Sequence, residues 1–253
     1  MTSLTGLLAE TGALCRFAAK FFTEGIKPRY EIGEFFRQCY SIGNKTFPLV
    51  GITGLIMGLV ITIQSQPSME AFGAESWIPA AVSISLVREI VPVITALICA
   101  GKVGSGIGAE LGSMKVTEQI DAMEVSGTNP FKYLVVTRVL ASMLMLPLLV
   151  VLSDVISLYG AYMGVNMKGM VSLQLYTNQV FGKLGFGDVI PAIVKSVFFG
   201  FVIGIIGCFK GYNTTRGTEG VGKAANNAVI LSTFMVFILD LVAAQITDII
   251  NIK

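Results

Sequence analysis

The sequence predicts an all-α membrane protein: about five transmembrane helices, preceded by N-terminal interfacial amphipathic helices and carrying one further short helix in a loop. Three observations predict it. Hydrophobic residues make up 53% of the 253 and charged ones only 13%, at a mean hydropathy of +0.74, whereas a soluble domain carries roughly 25% charged residues. Four apolar runs, 47–66, 134–158, 190–209 and 228–250, suit the length of about 20 residues that a bilayer core requires. A fifth, 77–100, is apolar except for Arg88 and Glu89 in "SLVREIVP". The chain thus divides into an N-terminal region, 1–46, and a membrane region, 47–253.

In the N-terminal region Leu7, Leu14, Phe17 and Phe21 recur at helical spacing, and Phe35, Phe36 and Cys39 begin a second stripe opposite Glu34, Arg37 and Gln38. Pro28 separates the two, because it disfavours helix in the residue before it. Helices with a basic and an aromatic face lie along a membrane surface; packing on the spans as ordinary amphipathic helices is the open alternative. Glu10, Arg16 and Lys20 interrupt the first twenty residues, so these do not read as a cleaved signal peptide.

Lys and Arg placement orients the spans. Arg16, Lys20, Lys27, Arg29, Arg37 and Lys45 precede the first, and the 67–76 loop has none. Lys102, Lys115 and Lys132 lie in 101–133, with Arg138 just beyond; 159–189 holds only Lys168 and Lys183, and 210–227 holds Lys210, Arg216 and Lys223. The N-terminus, 101–133 and 210–227 are expected in the cytoplasm and the C-terminus outside.

The chain has no histidine, which excludes Ser-His-Asp and Cys-His catalysis and His-ligated metal sites. Cys15, Cys39, Cys99 and Cys208 lack C-x-x-C spacing and read as small buried hydrophobes.

The loop "GKVGSGIGAELGSMKVTEQIDAMEVSGTNP" at 101–130 is the unusual stretch. Gly104, Gly108 and Gly112, four apart, make a bare helical ridge that admits a second helix closely. Neither G-x-x-x-x-G-K-[ST] nor G-x-G-x-x-G occurs here, which argues against a phosphate loop. Next, Val116, Ile120 and Met123 form one side of a short helix at about 113–126, with Glu118, Asp121 and Glu124 crowding the other, and Gly127 and Pro130 ending it. The carboxylates serve either to keep the loop in water or to dock a partner.

The stretch "GKVGSGIGAELGSMKVTEQIDAMEVSGTNPFKYLVVTR", with "SLVREIVPV" before it and "KSVFFG…GCFKGYNTTRGTEGVGKA" after, resembles the signature of the MlaE/YrbE family, permease subunits of MCE-type ABC transporters. The resemblance runs from about residue 30 to the end. Asn129-Pro130 stands where that family usually has Asp-Pro, and Thr137-Arg138 where it has Pro-Arg. It implies a homodimeric permease of the bacterial inner membrane that moves phospholipid or a related hydrophobic lipid between inner and outer membranes. The implied partners are a cytoplasmic ATPase subunit, which would hold ATP and magnesium, and a periplasmic MCE-domain protein; neither nucleic acid nor a cofactor or metal in this chain is implied. The 113–126 helix becomes a coupling helix seated on the ATPase, with Glu118, Gln119, Asp121 and Glu124 as the contact.

Arg88 and Glu89 fall near the middle of a span, where a charge costs at least a few kcal/mol and faces protein or a water-filled cavity. The resemblance places this pair in the lipid cavity, Arg88 on a phosphate and Glu89 holding Arg88 or a headgroup amine. An interhelical ion pair that only fixes the bundle is the open alternative. Lys195 is expected near the outer surface, where it could snorkel, with Asp240 mid-span and Asp154 near an outer end, both read as structural. The 159–189 loop is expected to form a short outer helix around Leu173, Leu175, Tyr176 and Val180, and "GYNTTRGTEGVGKA" a flexible loop. Two other classes stand beside the permease: a secondary transporter using Arg88, Glu89 and Asp240, and a structural membrane subunit. Five spans do not divide into the paired repeats usual for the former.

Overall fold

The computed structural model describes residues 4–27, 31–167, 171–215 and 217–251. Pro28, Arg29, Lys168 and Arg216, used above, lie outside them, as does the side chain of Leu7. The described residues form helices α1 (Leu4–Ile26), α2 (Ile32–Ala71), α3 (Ile78–Ser85), α4 (Val91–Cys99), α5 (Ser105–Val116), α6 (Gln119–Val125), α7 (Thr137–Asn166), α8 (Leu173–Phe181), α9 (Phe186–Tyr212) and α10 (Thr218–Asn251). Wide π turns join α3 to α4 (Leu86–Ile90) and α4 to α5 (Ala100–Gly104), and a third (Phe131–Val136) opens α7. Five of the described segments are long and apolar enough to cross a membrane: Ile32–Ala71, Glu75–Val116, Phe131–Asn166, Phe186–Tyr212 and Thr218–Ile249.

Several boundaries differ from the expected ones. No break separates 32–46 from the first expected span, because both belong to α2. The second stripe is partly as expected, with Cys39 buried and Arg37 exposed, but Gln38 is buried too, its Nε2 donating to Glu34 Oε1 at 2.6 Å, and Phe36 points outward. An amide and a carboxylate that satisfy each other can face inward, and the apolar ring suits an outer face in lipid. The glycine stretch continues the second apolar helix rather than leaving it. The expected 113–126 helix is two helices, broken at Thr117 and Glu118. Cys15 is exposed, unlike the other three cysteines.

The chain forms two compact units. Unit 1 comprises Met1–Ile42, Cys99–Leu144 and Gly200–Met235; unit 2 comprises Gly43–Ile98, Met145–Phe199 and Val236–Lys253. In unit 1 the aromatic face of α1 is taken up by protein. Phe17 meets Phe131 edge to face at 4.9 Å between centroids and Phe209 at 5.5 Å, and Lys20 lies over Phe131 at 4.4 Å. Gly108 faces Ala224, Ala225 and Ala228 of α10, the nearest atoms 3.3 Å from where a Cβ would stand. Gly104 faces Ile203 and Ser232, and Gly112 faces Thr214 and Val221. Arg138, only 2% exposed, donates to Glu110 Oε1 at 2.8 Å and to the Leu134 carbonyl at 3.1 Å.

In unit 2, α2 and α7 approach through small residues. A Cβ on Gly58 would collide with the Ser157 carbonyl, one on Gly160 with the Leu55 carbonyl, and one on Gly54 would lie 2.6 Å from Ser153 Oγ. Close backbone approach of this kind replaces the hydrophobic effect as the driving force between helices in lipid. Ile78, Val82, Leu86, Val91, Ala161, Tyr176 and Val180 form a buried cluster that seats α8. Ser172 caps α8 by accepting from Leu175 N, and buried Tyr176 donates to the Leu158 carbonyl at 3.0 Å. Leu173 and Leu175 stay exposed.

Candidate functional site

The charges of the second apolar helix sit on the π turn Leu86–Ile90, whose last bond runs from Val91 N to the Leu86 carbonyl. Such turns widen the helix locally and recur at functional sites. Arg88 and Glu89 diverge from it to different helices of unit 2. Arg88 Nη2 meets Asp248 Oδ1 of α10 at 2.6 Å. Glu89 Oε2 accepts from Lys195 Nζ of α9 at 2.6 Å, and the same ammonium reaches Asp240 Oδ1 of α10 at 3.0 Å.

Lys195 is therefore not a snorkelling surface residue. Its side chain is 6% exposed, and one cation lies between two carboxylates, Glu89 at 39% and Asp240 at 22% exposure. Glu89 is paired with Lys195 rather than with its neighbour Arg88. Asp154 of α7 is buried as well; its Oδ1 has no hydrogen-bond partner among the described residues, and Lys195 is its electrostatic neighbour. Lys195 also forms part of the wall of a groove of about 550 Å³ between α9 and α10. Ile190, Val194 and Phe198 line one side, Leu239, Val242 and Ile246 the other, and Lys195 is the one charged residue among the described lining. The volume falls in the range of roughly 300–1,000 Å³ typical of small-molecule sites.

Asp248 and the Arg138–Glu110 pair escaped the sequence reading. Asp248 could have been found: it follows Asp240 by eight residues, about two turns, and so shares its face. The partner of Arg138 is 28 residues away in a helix that the sequence marked only by its glycines.

The second arrangement lies in unit 1. Glu118 adopts a left-handed conformation, φ 59° and ψ 17°, and is the one non-glycine residue with positive φ among those described. That geometry costs an ordinary residue about 1–2 kcal/mol. It turns the chain sharply between α5 and α6, so that Ile120 is buried while Glu118, Gln119, Asp121 and Glu124 are exposed. Lys115 Nζ holds Asp121 at 2.7 Å across the turn. Gly127, at φ 82°, closes α6, its N–H donating to Glu124 O and that of Thr128 to Met123 O. This paired closure satisfies two terminal carbonyls. Val125 at the tip is 91% exposed.

The family model "Permease MlaE" matches residues 35–246. The chain belongs to the MlaE permease family. Similar proteins include a probable ABC transporter permease of Rickettsia typhi, 39% identical over 229 residues, covering 90% of this chain and 88% of that one. A probable ABC transporter permease of a Synechocystis strain is 37% identical over 229 residues, covering 88% and 87%. The protein named trigalactosyldiacylglycerol 1, chloroplastic, of Arabidopsis thaliana is 32% identical over 209 residues, 83% of this chain and 60% of that one. This MlaE-family protein is a multi-pass membrane permease, and as an ABC-type permease it implies an ATPase partner.

Proposed function

We propose that this permease moves phospholipid between the inner and outer membranes, taking the headgroup at Lys195, Arg88, Glu89 and Asp240. The observation that carries the reading is Lys195, buried between Glu89 and Asp240 and forming part of the wall of an otherwise apolar groove. When the site is empty, each cation keeps a carboxylate partner, so no bare charge stands in low dielectric. An arriving phosphate can replace a carboxylate on Lys195 or, in bidentate fashion, on Arg88. A headgroup amine can then take the released carboxylate. Partner exchange spares the several kcal/mol that a bare charge would cost. The Arabidopsis relative, named after a glycerolipid, agrees with a lipid cargo.

ATP hydrolysis belongs to a cytoplasmic partner seated on Glu118, Gln119, Asp121 and Glu124. Closure of that partner pulls on α6, and the left-handed Glu118 transfers the movement to α5. The permease works as a homodimer in the inner membrane, N-terminus cytoplasmic and C-terminus periplasmic, and hands lipid to a periplasmic MCE-domain protein. A structural role is the second reading, favoured by the fact that Arg88, Lys195, Glu89 and Asp240 all have ion-pair partners. Reconstitution of the permease with its co-purified ATPase in liposomes separates the two. ATP-dependent movement of a labelled phospholipid, lost in Arg88→Ala while the fold survives, supports transport. Unchanged movement with a large loss of thermal stability supports the structural role.

A further inference from the structure

We propose that unit 1 carries a second lipid site, which holds one zwitterionic phospholipid of the surrounding membrane at the start of α2 and α7. Two concavities meet there and share Glu31 and Lys132. One, of about 210 Å³, has almost wholly apolar walls that include Ile32, Phe35 and Leu140. The other, of about 420 Å³, is half polar and is lined by Glu24, Lys27 and Asn129 among others. A polar chamber that opens into an apolar one through shared residues has the form of an amphiphile.

Placement points the same way. Phe131 opens a membrane-length helix, so Lys132 stands at the end of an apolar segment, the level at which headgroups lie, and Glu31 lines both concavities with it. The charges are balanced, two ammoniums facing two carboxylates, which suits a headgroup bearing both a phosphate and an amine. Lys132 Nζ already donates to the Lys27 carbonyl at 2.8 Å, which brings its ammonium beside the Lys27 backbone. Lys27 is 61% exposed in its pair with Glu24. Glu24 is 12% exposed and also accepts from Asn129, so an arriving phosphate meets the open side of the Lys27 ammonium and leaves its bond to Glu24 in place. The phosphate then lies on Lys27 and Lys132, the amine on Glu31, and the beginning of an acyl chain against Phe35 and Leu140. This site is independent of the proposed transport site and needs only membrane phospholipid.

The test uses the full chain in nanodiscs of phosphatidylethanolamine and phosphatidylglycerol, with a trace of phosphatidylethanolamine carrying a photoreactive acyl chain. Mapping of the adducts should place label on 131–140 several-fold above that on the outward-facing Phe234 of α10. The excess should fall several-fold in Leu140→Trp, which fills the apolar chamber, and in Lys132→Gln, and should persist in excess inorganic phosphate. Lys132→Gln removes the charge, keeps a polar end and serves if Leu140→Trp fails to fold. Equal labelling of wild type and both variants, labelling no greater than at Phe234, or full displacement by inorganic phosphate would overturn the proposal. Label in the α9–α10 groove is read in the same digest, so failure here is distinct from failure of the transport site.

Discussion

Replacing Lys195 with methionine is the most informative single perturbation of unit 2. Methionine keeps an unbranched apolar stem and removes the ammonium, leaving Glu89 and Asp240 without the cation that now lies 2.6 and 3.0 Å away. Removing one partner of a buried pair costs about 3–5 kcal/mol. Glu89 is 39% exposed and can recover some solvation, so about 3 kcal/mol is expected after discounting for screening. For a chain of this size that is a fall of roughly 6–12 °C in the apparent Tm. The assay is thermal unfolding of the purified protein in nanodiscs. The decisive comparison is the triple variant Lys195→Met, Glu89→Gln, Asp240→Asn, which removes both carboxylates that pair with Lys195 and leaves only its more distant neighbour Asp154 without the cation. It should regain most of the lost stability and still lose bound phospholipid. A Lys195→Met variant within a degree or so of wild type, or a triple variant no more stable than the single one, would refute the reasoning that these charges neutralise one another in low dielectric.

Other outcomes follow from the same structure. Glu118→Lys with Asp121→Lys should abolish ATPase pull-down and leave the unfolding temperature near wild type, because both side chains are exposed; retained pull-down would remove α6 from the contact. Glu118→Gly should alter stability by less than about 1 kcal/mol, since glycine accepts a positive φ, whereas Glu118→Val should destabilise, because a β-branched residue fits positive φ worse than glutamate does, both measured by denaturant or thermal unfolding. Gly58→Ala should destabilise by about 3 kcal/mol or more, the upper end of overpacking effects, because the new methyl meets the Ser157 backbone; Gly108→Ala, 3.3 Å from its nearest neighbours, should be milder. The hydrogen bond from Lys27, joined by the bond from Asn129, holds the Glu24 carboxyl below its ordinary value of 4.5. A depressed pKa contributes stability above 4.5 that is lost as pH falls through the lower folded value. Protection against hydrogen exchange in 127–133, relative to the intrinsic rate at each pH, should therefore fall as pH drops below 4.5, and Glu24→Gln should remove that dependence.

The class of fold was legible because lipid imposes it: long apolar runs must close their backbone hydrogen bonds as helices. Boundaries were less so. Nothing in a hydropathy pattern distinguishes an amphipathic approach from a span that continues it, and the inward turn of Gln38 depends on its bond to Glu34, one turn earlier in α2. The glycines at 104, 108 and 112 signalled a close approach without naming α10 as the helix that fills it. The matching small residues on α2 and α7, Gly54, Gly58, Ser153, Ser157 and Gly160, carry the same signal, masked by the apolar runs in which they lie. At the charge cluster the sequence supplied the members Arg88, Glu89, Lys195 and Asp240 but not the pairing. Glu89 was expected to hold Arg88 or a headgroup amine, or the pair to tie helices together; the π turn carries Arg88 to Asp248 and Glu89 to Lys195. The left-handed Glu118 was not foreseeable, because glutamate has no preference for that conformation and tertiary packing of Ile120 imposes it.

The claim that matters most is that Lys195, Arg88, Glu89 and Asp240 hold phospholipid. It is tested most directly by mass spectrometry of lipid retained on the purified permease, wild type against the folded triple variant Lys195→Met, Glu89→Gln, Asp240→Asn. Phospholipid retained by the wild type and lost several-fold from the variant is the expected result. Equal retention by a variant that unfolds at the same temperature would contradict the assignment and leave these charges as the ties of the helix bundle.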